Sequence, residues 1–97
     1  MANIHFGGFE WDSNKNEGNR QKHGIAFEDA VEIFDGPYVK FGSDRSGETR
    51  WLAIGETQGH VIAVVYTERK ERIRIISARM ARSYERENYK ALVGDTS

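Results

Sequence analysis

The sequence predicts an α+β protein, and three observations carry that expectation. A long polar stretch, Asp12 to Gly24 (DSNKNEGNRQKHG), is opened by an acid and closed by a glycine, as a helix is. From Tyr38 onward, short alternating runs rich in β-branched and aromatic residues follow one another across tight turns. The last stretch, up to Gly94, returns to helical spacing. Helices, then consecutive strands, then a helix is the order of an antiparallel β-sheet meander with two N-terminal helices and one C-terminal helix, not of alternating βαβ units.

The elements follow in chain order. HFGGFEW is a short strand. Asp12 can accept from the free amides of a first turn, and Gly24 can take the left-handed position that ends it, so the first helix spans residues 12–23. Ile25, Phe27, Ala30, Val31 and Phe34 recur at helical spacing, with Glu28 and Asp29 near the positive end, until Asp35-Gly36-Pro37 stops a short second helix. YVKFG is a strand and SDRSG a loop. Residues 49–57, 60–67 and 72–77 are three strands that should pair antiparallel in sequence order, with hairpins at Gln58-Gly59 and Arg69-Lys70. Strict alternation puts Arg72, Arg74 and Ile76 of the last strand on one face, and Ile73, Ile75 and Ser77 on the other. The middle strand, with VIAVV, is apolar on both faces, so both faces of the sheet should be partly covered. Met80, Ala81, Tyr84, Ala91 and Leu92 mark the weakly apolar face of the final helix. The expected core comprises Phe27, Val31, Phe34, Ile62, Val64, Ile73 and Ile75.

A chain of 97 residues suffices for one domain, spanning residues 1–97. It has no cysteine, which excludes disulfides and thiolate metal sites and fits a reducing cytoplasm. MANIHFGGF has no basic start, and nothing later approaches a membrane span, so the expectation is a cytoplasmic protein without membrane contact. The net charge of −1 hides an asymmetry: residues 1–67 hold six Lys or Arg against ten Asp or Glu, and residues 68–90 hold eight against four. That pattern means either a basic surface for a polyanion or acidic partner, or a solvated helix and hairpin whose charges pair locally.

No phosphate loop, dinucleotide fingerprint, zinc-protease helix or nucleophile elbow occurs, and His5, His23 and His60 lack metal-ligand spacing. No metal or cofactor is expected. Lys15, Asn19, Lys22 and His23 make one continuous stripe on the first helix. The stripe either offers a polar, exposed face to a phosphate backbone or belongs to a solvated helix held at its ends by Trp11 and Ile25. Trp51, beside Arg50, can stack a base next to a phosphate-binding guanidinium or be a core residue. Arg72 and Arg74 are either phosphate contacts or the wet face of a strand.

Taken together, FEWD at 9–12, K-x-x-x-N-x-x-K-H-G from Lys15 to Gly24, FEDA at 27–30, E-x-R-W at 48–51 and RIRIISAR at 72–79 resemble the BrnT toxins of bacterial type II toxin–antitoxin pairs. The resemblance spans about residues 9–90 and departs from the usual pattern at Met80, where a basic residue is common, and at Arg82, where a threonine or serine would cap the last helix. It implies a RelE-like fold and a small ribonuclease that stops translation. It also implies a ribbon-helix-helix, BrnA-like antitoxin as partner, RNA as substrate, and operator DNA contacted only through the complex. The matching polar residues are Lys15, Asn19, Lys22, His23, Glu48, Arg50, Arg74, Ser77 and Arg79. Of these, His23, Glu48, Arg50 and Arg79 are the candidate catalytic residues; Lys15, Asn19, Lys22 and Arg74, with Trp51, are the candidate RNA-binding residues. Arg50 and Arg79 can grip a phosphate with planar forks, His23 can move a proton, and Glu48 can be its counterpart or orient Arg50. The competing reading is a non-catalytic module in which the same basic positions dock an antitoxin and take part in operon repression. An inactive relative that keeps only the fold is a third.

Overall fold

A computed structural model describes residues 3–42, 47 and 49–94. Its centre is β5 (His60–Arg69), the strand whose sequence is apolar on both faces. β4 (Trp51–Thr57) and β6 (Arg72–Met80) flank β5 antiparallel, as the turn spacing predicts. β3 (Tyr38–Gly42) continues the meander on the outside of β4.

The N-terminus differs from the expected single strand. Gly7 and Gly8, both with positive φ, fold it into a hairpin of β1 (Asn3–Phe6) and β2 (Phe9–Asp12). β2 then pairs parallel to β6 through Phe9 with Ile73 and Glu10 with Arg74, so the sheet is mixed, in the order β1-β2-β6-β5-β4-β3. Nothing in the meander's own turns specifies this joint, which comes from a segment more than sixty residues away. The hairpin expected at Arg69-Lys70 sits one residue later. Arg69 pairs with Arg72, and the turn is made by Lys70 and Glu71, both with φ above zero, as the strands' twist favours in a two-residue loop.

Helix α1 (Ser13–His23) has the predicted ends: Asp12 accepts from the amides of Asn14 at 2.8 Å and Lys15 at 3.3 Å, and Gly24 is left-handed. The second helix is a short α2 (Phe27–Ala30) that tightens into a 3-10 segment, Val31–Asp35, burying Phe27, Ala30, Val31 and Ile33. These side chains cover one face of the sheet, the α2 face, over Ala53, Ile62, Val64, Tyr66, Ile75 and Ala78, with Trp11 fully buried beside them. Phe34 and Ile73, expected in the core, are partly buried against it. Gly55 permits this packing, because a Cβ there would meet the Cβ of Ile33 at 2.7 Å and that of Tyr38 at 3.2 Å. Gly55→Ala should therefore cost about 1–3 kcal/mol by forcing apart a close-packed contact, measurable as a lower urea midpoint with unchanged slope.

Helix α3 (Ser83–Val93) packs on the other face, here the α3 face, through Tyr89 and Val93 over Val39, Leu52, Ile54, Val61 and Ala63. Its buried stripe is not the expected one. Met80 ends β6 instead of starting the helix, and Met80, Tyr84 and Leu92 are exposed, while Glu85 and Tyr89 point inward. The apolar residues were misleading because the inward stripe contains a carboxylate, whose burial no hydropathy pattern anticipates.

Candidate functional site

The polar first helix has a structural explanation at its centre. Asn19 is only 8% exposed, and its side-chain amide meets the backbone of β6: Nδ2 donates to the Ala78 carbonyl at 2.8 Å, and Oδ1 accepts from the Ala78 amide at 3.1 Å. Nδ2 also donates to the Ile25 carbonyl at 2.9 Å. β2 pairs with β6 only near Phe9 and Glu10, so the edge of β6 beyond them would otherwise be bare, and Asn19 pairs with that edge as a strand residue would. Asn16 adds two bonds to the α2 region, accepting from the Phe27 amide and donating to Glu28, each at 2.8 Å. The helix docks by hydrogen bonds and needs no apolar face. The expectation that Asn19 stays exposed as an RNA contact is therefore corrected, since its polar atoms are spent on the sheet.

Lys15, Lys22 and His23 remain exposed. Helical periodicity turns His23 to the same side of Asn19 as Asn16, toward α2, and turns Lys15 and Lys22 to the opposite side, toward the α3 face.

That face collects the arginines through a device strict alternation misses. A register shift at Val65/Tyr66 puts a bulge in β6, so Arg74 lies opposite Thr67, Ser77 opposite Val65 and Arg79 opposite Ala63. Thr67, Val65 and Ala63 share one side of β5; hence Arg74, Ser77 and Arg79 share the α3 face. The prediction that Ser77 opposes Arg74 is overturned by that one extra residue. Arg50, one position before Trp51, alternates to this face as well. Its Nε is buried and has no hydrogen-bond partner among the described residues. Trp51 faces the other way, partly buried against the α2-side core, with Lys40 Nζ 4.0 Å from its ring centroid. The expected pairing of a stacking tryptophan with the neighbouring guanidinium is thus split between two faces. Glu48 lies outside the described residues.

Two of the arginines are held. Arg74 Nη1 donates to Glu10 at 2.8 Å across the β2–β6 joint. Arg79 makes a two-armed contact with Glu85, Nη1 to Oε1 at 2.7 Å and Nη2 to Oε2 at 2.9 Å, and Glu85 also accepts from the Arg82 amide at 2.7 Å. Glu85 thus supplies half of a capping box, although Arg82 has no acceptor with which to return it. Arg79 and Arg50 start about 16 Å apart, by four residues along and two strands across, so they address separate positions on a bound chain instead of one phosphate. Glu85 is the residue sequence reasoning missed; its only trace was a glutamate three positions past the N-cap. Tyr84, also missed, is 57% exposed at the start of α3.

The Arg79 hydrogen bonds hold the Glu85 carboxyl below its ordinary pKa, against the opposing effect of burial, with help from the Arg82 amide. A carboxylate whose pKa is depressed on folding contributes stability above its unfolded pKa, and that stability is lost as pH falls through the folded value. Thermal unfolding followed from about pH 6 to about pH 3 should therefore show a steeper loss for the wild type than for Glu85→Gln.

These features describe a small α+β protein whose half-covered sheet face is lined by arginines. The chain belongs to the BrnT family: the signature of the ribonuclease toxin, BrnT, of type II toxin–antitoxin systems matches residues 11–85. Family membership implies an antitoxin partner. No curated protein matches the chain. Among the described residues no helix is long and apolar enough to cross a membrane, and no three His, Asp or Glu side chains come together as a metal site.

Proposed function

We propose that this chain is a cytoplasmic, metal-independent endoribonuclease that inhibits translation by cleaving RNA on its α3 face. The observation that carries the reading is the bulge in β6, which puts Arg74, Ser77 and Arg79 on the same side as Arg50 in a chain of a ribonuclease toxin family. RNA brings its own nucleophile. The 2′-oxygen attacks the adjacent phosphorus, the bond to the 5′-oxygen breaks, and the products end in a 2′,3′-cyclic phosphate and a 5′-hydroxyl. The protein needs to orient the phosphate and stabilise charge on the phosphorane.

Arg50 is the main phosphate contact through its terminal nitrogens, which make no hydrogen bond or ion pair to a described residue, while its buried Nε stays out of a ligand's reach. Arg79 and Arg74 supply neighbouring positive potential, and Lys15 and Lys22 flank the strand's path. His23 lies on the other side of α1, so proton transfer falls first to solvent or to Glu48, and His23→Ala should be mild. The partner is a ribbon-helix-helix antitoxin, with operator DNA contacted only through the complex.

One observation favours a second reading, an antitoxin-docking module without catalysis: Arg74 and Arg79 are already matched by Glu10 and Glu85, which lowers the free positive charge of the face. Purified protein freed of its antitoxin decides between them. Cleavage of single-stranded RNA with a chelator present supports the nuclease; intact RNA together with tight antitoxin binding supports the module.

A further inference from the structure

Glu85 is 2% exposed, and its partner Arg79 is 24% exposed. Burying an ion pair is a poor way to gain stability, because apolar residues of the same volume usually serve as well or better. What such a pair does supply is a fixed geometry. A guanidinium gripped through both terminal nitrogens cannot rotate, and Arg79 is gripped this way, with Nη1 reaching the Met80 carbonyl as well at 3.3 Å. Its Nε makes no hydrogen bond among the described residues and, unlike Arg50 Nε, is not buried. The side edge of the fork, Nε with the outer hydrogen of Nη2, is therefore open and aimed by the carboxylate behind it. A fork of this shape matches two oxygens of a phosphate. The anchor itself is fixed, because Glu85 is locked at the first turn of α3 by the Arg82 amide.

We propose that Glu85 is the positioning residue of the cleavage site: it holds Arg79 end-on, so that the open side edge of the guanidinium receives a backbone phosphate other than the one held by Arg50. The proposal rests on the nuclease reading. It assigns Glu85 no contact with RNA and no proton transfer.

The test compares Glu85→Gln with wild type in steady-state cleavage of a single-stranded RNA oligonucleotide. Gly55→Ala serves as a control that lowers stability from the opposite face. The glutamine keeps shape and one acceptor but releases the fork. The expected result is a fall in kcat on the order of 10- to 100-fold with KM nearly unchanged, the mark of lost orientation with retained binding. Gly55→Ala should keep wild-type kcat at a temperature where it is folded. Where the glutamine variant does not fold, Glu85→Asp is read instead; it keeps the charge but draws the fork back by one methylene, and kcat should fall again with KM held. Wild-type kcat in a folded Glu85 variant overturns the proposal and leaves the nuclease reading intact, as does a rise in KM alone. An equal loss in Gly55→Ala reduces Glu85 to a stabilising residue. No cleavage by wild type overturns both readings.

Discussion

Asn19→Ala is expected to destabilise the protein more than any other substitution on α1, by about 3–4 kcal/mol, because it strips partners from the Ala78 amide, the Ala78 carbonyl and the Ile25 carbonyl, and a buried backbone group left unpaired costs about 1–3 kcal/mol. Water entering the vacated space keeps the total below the sum. Against a usual stability of about 5–15 kcal/mol the loss is large. Asn19→Asp should be no milder: a carboxylate can still accept from the Ala78 amide, but it faces two carbonyl oxygens where the amide nitrogen donated. Lys15→Ala and Lys22→Ala, exposed on the same helix, should leave the urea midpoint almost unmoved. Equal stability of Asn19→Ala and wild type would mean that α1 is held by something other than this clasp.

Arg50→Ala is expected to lower RNA cleavage on the order of 10²- to 10³-fold, the usual cost of removing one donor that stabilises transition-state charge. Fold and stability should be nearly preserved, because no hydrogen bond from its Nε to a described residue is lost. Arg50→Lys should recover only part of the rate, since a lysine returns the charge without the planar fork. Undiminished cleavage by Arg50→Ala would move the phosphate contact elsewhere on the face.

Much of the meander was legible because its turns and its alternation are local. Gln58-Gly59 and the VIAVV run depend on near neighbours and were read correctly, and the Lys70-Glu71 turn was missed by one position. What escaped was non-local or broke parity. The parallel joint of β2 with β6 depends on residues far apart in sequence, and the bulge at Ile76 changes the face of every later side chain in β6 without altering composition. The arginines were therefore recognisable as candidates, but the face that Arg79 and Ser77 share with Arg74 was not. Asn19 illustrates the converse: a polar residue on a polar helix reads as solvated until the bare edge of β6 is brought against it. Glu85 escaped for a related reason, since a glutamate on a charged helix gives no sign that an arginine six residues back will bury it.

On the nuclease reading, RNA lies on the α3 face. Amide chemical shifts of the isotope-labelled protein, recorded as a 2′-O-methyl oligoribonucleotide is added, test it most directly, because that ligand can bind but lacks the nucleophile for its own cleavage. The largest perturbations are expected at Thr67, Arg74, Ser77 and Arg79 and at the start of α3, fading at high salt as phosphate contacts do. Perturbations confined to α2, Trp51 and Lys40 on the opposite face would contradict it.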